Sequence, residues 1–90
     1  MKIQWNVNAS KLGLWANIPT SNPVKDIMLS VFKTTLSGKY LQMVWVEGEK
    51  SNNYSQSEHE CCISAMVHAE AAATELADEM ANASAVWQEV

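Results

Sequence analysis

Ninety residues, 48% of them hydrophobic and 18% charged, make one domain over 1–90 with a modest core. That excludes a multidomain enzyme, and apolar runs of only a few residues exclude a membrane-spanning helix. The net charge of −4 is uneven: residues 1–50 hold all six lysines and three acids, residues 51–90 hold seven acids and no Lys or Arg, and no arginine occurs anywhere, which argues against a nucleic-acid binder with its dense basic patch.

Residues 2–8 alternate, with Ile3, Trp5 and Val7 on one face and Lys2, Gln4, Asn6 and Asn8 on the other. This is the pattern of a half-buried strand. It is also unlike the apolar core of a signal peptide, so a cytoplasmic, reducing setting is expected. The three Asn-x-Ser matches, at Asn8, Asn53 and Asn82, then carry no meaning for glycosylation. Asn8-Ala9-Ser10 reads as a turn into a second strand over 12–18, paired with the first as a hairpin. Leu12, Leu14, Ala16 and Ile18 share its inner face, Trp15 points the other way, and Gly13 marks a weak point or bulge.

Residues 18–23 form a loop that ends in Asn22-Pro23, a cap and first-turn pair. Val24, Ile27, Met28, Val31 and Phe32 recur at three- and four-residue spacing, and Gly38 stands where a helix would stop. A helix over 23–36 is the preferred reading. The rival is a strand, favoured by Val31, Phe32, Thr34 and Thr35, with Ser37-Gly38 as a hairpin turn. Residues 39–47 are strand, apolar on both faces: Tyr40, Val44 and Val46 on one, Leu41, Met43 and Trp45 on the other. Such a strand needs cover on both sides, so either helices sit on opposite faces or another chain covers one.

Residues 48–56 read as a polar loop, followed by a capping box, Ser57 with Glu60, or an earlier one, Ser55 with Glu58. From 57 onward Ala, Glu, Met and Leu favour helix. Cys62, Met66, Ala69, Ala73, Leu76, Met80, Ala83 and Trp87 step by four and three, an apolar seam whose alanines permit close approach. Glu60, Glu75, Asp78 and Glu89 fall opposite it, with Glu70 and Glu79 flanking. A helix over 57–89 would be about 50 Å long, longer than a compact domain of this size. A break at Asn82-Ala83-Ser84 is therefore expected, and pairing with a second copy through an overhang is the alternative.

Catalytic and metal chemistry find little support. Cys61 and Cys62 are the only cysteines, too few for a disulfide framework. His59, Cys61, Cys62 and His68 are zinc-ligand types, and His59 with Cys62 has a suitable helical spacing, but this stretch alone builds no four-ligand site and no second Cys/His cluster completes one. Cys61 and His68 stand two turns apart, about 10 Å, beyond reach for a nucleophile and base. Gly13, Gly38 and Gly48 stand alone, so there is no phosphate loop. No catalytic residue, metal ligand or cofactor is assigned.

The expected architecture is α+β in the order β-β-α-β-α, with the long C-terminal helix packed across a small antiparallel sheet; the rival order is β-β-β-β-α. The expected function is a non-enzymatic interaction module, a small cytoplasmic inhibitor or adaptor that occupies a surface of a larger protein. Trp15, the Ile63/Val67 pair, and the acids Glu75, Asp78 and Glu79 are its candidate partner-binding residues. The alternative is a homo-oligomer, a homodimer in the simplest case, that is structural or binds a small ligand. Size and composition also match phage-encoded and mobile-element accessory proteins, an analogy at that level alone.

Overall fold

The computed structural model describes residues 3–8, 13–20 and 25–88, with side chains described as far as residue 82. Five antiparallel strands form a meander in the order β1-β2-β3-β4-β5: Asn6–Val7, Gly13–Ile18, Ile27–Lys33, Tyr40–Val46 and Ser55–His59. One helix, α1, spans Cys62–Gln88. The fold is therefore α+β, as the composition and patterning implied. The order is β-β-β-β-β-α, which corrects the expected β-β-α-β-α and adds a fifth strand to the rival order.

The segment read as a helix is β3. Its alternation places Ile27, Leu29 and Val31 in the core and Met28, Ser30 and Phe32 on the opposite face. Both edges of β3 are paired, to β2 and to β4, and that ladder together with β-branched content outweighs a helical spacing shared by the same residues. Asn22, Pro23 and Val24, the expected cap and first turn, lie outside the described residues. The stop signal at Gly38 is a hairpin turn instead: Gly38 has φ +72°, and Thr34 and Lys39 close the turn by a 2.8 Å backbone hydrogen bond.

In the hairpin of β1 and β2, Leu14, Ala16 and Ile18 share the inner face as expected, and Leu12 lies outside the described residues. Gly13 is a close-approach position rather than a bulge. A Cβ there would stand 2.9 Å from the Cβ of Phe32 and 2.9 Å from the carbonyl oxygen of Val31. Ile3 and Trp5 pack against the core alongside.

The polar stretch after β4 contains a 3-10 turn, Lys50–Asn52, and then β5. Neither capping box forms, because Ser55 and Ser57 belong to this strand and α1 begins only at Cys62. The strand forms because β4 has a free edge to pair and a buried polar side chain to satisfy. Gln42 is fully buried, and its Nε2 donates to Ser55 Oγ at 2.8 Å and Ser57 Oγ at 3.0 Å.

Helix α1 lies across β3, β4 and β5. Ala65, Ala69, Ala73 and Leu76 are its buried row, with Cys62, Met66, Ala72, Ala77 and Met80 beside them. The expected seam is thus correct from Cys62 to Met80, with Ala65 added. The expected break does not occur: the helix continues through Asn82 to Gln88, about 40 Å in all. It overhangs a sheet whose longest strands have seven residues, and the molecule measures 49 × 25 × 22 Å. The side chains of Ala83 and Trp87 lie outside the described residues.

Candidate functional site

A sheet has two faces, and the described residues cover one. The inner face carries Ala16, Ile18, Ile27, Leu29, Val31 and Val44 beneath α1. Strand register determines what lies on the other. Trp15, Ser30, Met43 and Gln56 form one cross-strand row, flanked on one side by Gly13, Phe32, Leu41 and Glu58 and on the other by Asn17, Met28 and Trp45. Six large apolar side chains therefore share the open face. Trp15 is 40% exposed and Phe32 37%, and Met28, Leu41, Met43 and Trp45 are partly exposed. Apart from the Lys50 side chain over Trp45, no element among the described residues lies over them. The two-faced strand 39–47 thus has a helix on one side and an open surface on the other.

Charge on this face lies at the ends of β4 and, as Glu58, on the edge strand β5. Continuing the alternation of β4, Lys39 stands beyond Leu41 at one end and Glu47 beyond Trp45 at the other. Lys39 pairs with Glu60 at 3.3 Å, and a Glu47 carboxylate oxygen lies 3.3 Å from the Asp26 backbone N–H. The Lys50 ammonium lies 5.2 Å from the centre of the Trp45 ring, a cation–π contact at the rim.

The candidate residues on α1 form a different surface. Ile63 and Val67 are 73% and 61% exposed, one turn apart on the side of the helix away from the sheet. Glu75, Asp78 and Glu79 are exposed farther along. Trp15 is on the sheet's open face, on the opposite side of the molecule from the buried row of α1, so these six residues do not form one site. Glu79 has a structural contact as well: the Tyr54 hydroxyl donates to its carboxylate at 3.3 Å. Desolvation, then the Glu75 and Glu79 carboxylates, push the Tyr54 phenol up to about 12.

The histidines are not in one helix. His59 ends β5, and its ring lies 5.0 Å from that of His68 on α1. Its Nε2 is 2.8 Å from Ser57 Oγ. Because Ser57 Oγ already accepts from Gln42, the natural arrangement has Ser57 donating to His59. The sequence reading missed this chain of Gln42, Ser57 and His59; the signal available was one polar residue at the centre of an apolar strand. The pair resembles a serine nucleophile and its base, with Ser57 also held by the Gln42 amide. Gln42, Ser57 and His59 form a part-buried polar ladder. Cys61 is exposed, and Cys62 is partly buried with its thiol 3.9 Å from the Met66 sulfur. Among the described residues, no three His, Cys, Asp or Glu side chains converge on a point that could hold a metal ion.

A cavity of about 390 Å³ opens where the first hairpin meets the start of α1, lined by Val7, Leu14, Val31, Tyr40 and Cys62 among others. It is mostly apolar and could hold a small apolar group. No helix among the described residues is long and apolar enough to cross a membrane. No known protein family, curated protein or solved structure matches this chain.

Proposed function

We propose that this chain is a non-enzymatic protein-interaction module in the cytoplasm whose open sheet face docks protein: an inhibitor or adaptor where the occupant is another protein, a homo-oligomer where it is a second copy. The supporting observation is the set of six large apolar side chains on a face that no element among the described residues covers. Strands β2 to β5, of six, seven, seven and five residues at about 3.3 Å per residue and about 4.8 Å apart, give that face a footprint of about 400 Å². Apolar patches of several hundred Å² on a small protein mark interaction sites. Trp15, Phe32 and Trp45 are the residue types that anchor such interfaces. The face is mixed in charge at its ends and neutral at its centre, which suits a protein surface better than a phosphate backbone.

A photo-cross-linking amino acid in place of Met43 tests the reading, with the same group at exposed Ala71 on the helix as reference. Position 43 is expected to form adducts with a protein chain, whether another protein or a second copy, and position 71 is not. A position-43 chain that forms no protein adduct in its native lysate refutes the reading.

A further inference from the structure

We infer that the occupant of the open face is a second copy of this chain, stacked sheet to sheet about a two-fold axis that passes over Met43 and runs across the strands. This rests on the open face being a docking surface. Along β4 and its two flanking residues, the open face reads Lys39, Leu41, Met43, Trp45, Glu47. That series is complementary to its own reverse. A two-fold axis through Met43 sets Leu41 against the partner's Trp45, Met43 against the partner's Met43, and Lys39 at the end that meets the partner's Glu47.

On the neighbouring strands the apolar rows follow the same operator, while at the charged ends Asp26 stands beside Glu47 and Glu60 pairs with Lys39. Rotation exchanges the two outer rows, so Phe32 on β3 meets the partner's Met28, and Glu58 on β5 comes to the end where the partner's Lys50 lies over Trp45. The central row meets itself, and in β3 it carries the small Ser30. An isologous contact requires this kind of self-complementarity, with residue i on j and j on i.

Two such faces amount to about 800 Å² in projection, below the roughly 1,000 Å² that a specific interface must clear, and side-chain corrugation adds to that projected area. Stacked sheets lie about 10 Å apart with strands inclined by about 30°, which long Lys and Glu side chains can span at the ends. The same stacking gives strand β4 the second cover that its two apolar faces require. Both helices are then outermost, so each dimer displays Ile63 and Val67 twice.

Charge exchange tests the register. Sedimentation equilibrium of the 10.0 kDa chain is expected to give twice the monomer mass at tens of micromolar. Met43→Glu places two carboxylates at the axis and is expected to give the monomer mass with an unchanged circular-dichroism spectrum. Lys39→Glu and Glu47→Lys each set like charges against each other and are expected to weaken the dimer about tenfold. The double exchange, K39E with E47K, is expected to recover most of that loss. Positions 39 and 47 are about 26 Å apart within one chain, so recovery cannot come from an internal contact.

A wild-type chain that sediments as a monomer at 100 micromolar overturns the inference, as does a double exchange no tighter than the weaker single. If the wild type is monomeric and position 43 still cross-links to a different protein, the second-copy inference fails and the docking reading stands. If the wild type is monomeric and position 43 cross-links only to nucleic acid, both fail.

Discussion

The spacing between helix and sheet rests on alanine, and enlarging one alanine tests it. Ala65, Ala69 and Ala73 are completely buried, one on each successive turn of α1. On the helix side only a methyl group stands between the α1 backbone and the inward side chains of the sheet at those points. Ala69→Leu adds three carbons there, and overpacking of this kind costs about 1–3 kcal/mol. Helix propensity does not offset it, because Leu and Ala are both strong helix formers. For a domain of this size each kcal/mol lowers the melting temperature by about 4–8 °C, so the expected fall is about 5–20 °C. Ala71→Leu is the control: the same change in the same helix at an exposed position, expected within about 0.5 kcal/mol of wild type. Ala73→Leu combined with Ala69→Leu is expected to cost less than the sum, because the first change already lifts the helix. Thermal unfolding followed by circular dichroism at 222 nm reads all of these. If A69L melts within about 2 °C of A71L, the alanines do not set the helix–sheet distance and the packing argument is wrong.

Other changes probe other contacts. Leu29→Ala, at a fully buried position in the central strand, is expected to remove about 2–5 kcal/mol by cavity formation and to lower the urea midpoint accordingly. Gly13→Ala forces β2 away from the Val31 carbonyl, and about 1–2 kcal/mol of destabilisation is expected after the entropy gain of replacing glycine. An ultraviolet titration is expected to show the Tyr54 phenol ionising near pH 12, and Glu75→Gln with Glu79→Gln is expected to move it toward 10.0. Since the folded pKa is raised, the unfolded phenol ionises first. The stabilisation from Tyr54 is complete below pH 10 and is lost as pH rises through about 12, so alkaline unfolding of the Tyr54→Phe variant is expected to lack that component.

The strands at 13–18 and 40–46 were legible because each alternates against a clear apolar face, and α1 because its three-and-four seam is uninterrupted from Cys62 to Met80. β3 was ambiguous for a physical reason. Ile27, Met28, Val31 and Phe32 satisfy a helical spacing and a two-faced strand at once, and only pairing with β2 and β4 decides between them. β5 was illegible, because Ser55, Ser57 and His59 face inward and Gln56 and Glu58 outward, so no apolar alternation exists to read. Its inward side is polar where it meets the Gln42 amide, whose Nε2 donates to Ser55 and Ser57 while its Oε1 is buried without a partner among the described residues. Misplacing that strand put His59 on the helix and hid its contact with Ser57.

The open face was half legible. The two-faced character of 39–47 already required a second cover, and Trp15 already pointed away from Leu14 and Ala16. The contributions of Met28 and Phe32 could not be read while β3 was taken for a helix. The continuous helix has a similar origin: Asn82 and Ser84 are weak helix formers, but a single such pair costs too little to interrupt propagation from the long alanine-rich run before it.

Five methionines allow the central claim, that the open face is covered by protein, to be measured directly. Met28 and Met43 lie on that face, and Met66 and Met80 lie along the helix and report the chain's general exposure. Oxidative footprinting read by mass spectrometry compares the chain in its native lysate with the purified chain at high dilution. Slower oxidation of Met28 and Met43 in the lysate, with Met66 and Met80 unchanged, is the expected result. Equal rates for all four in both conditions would contradict the claim.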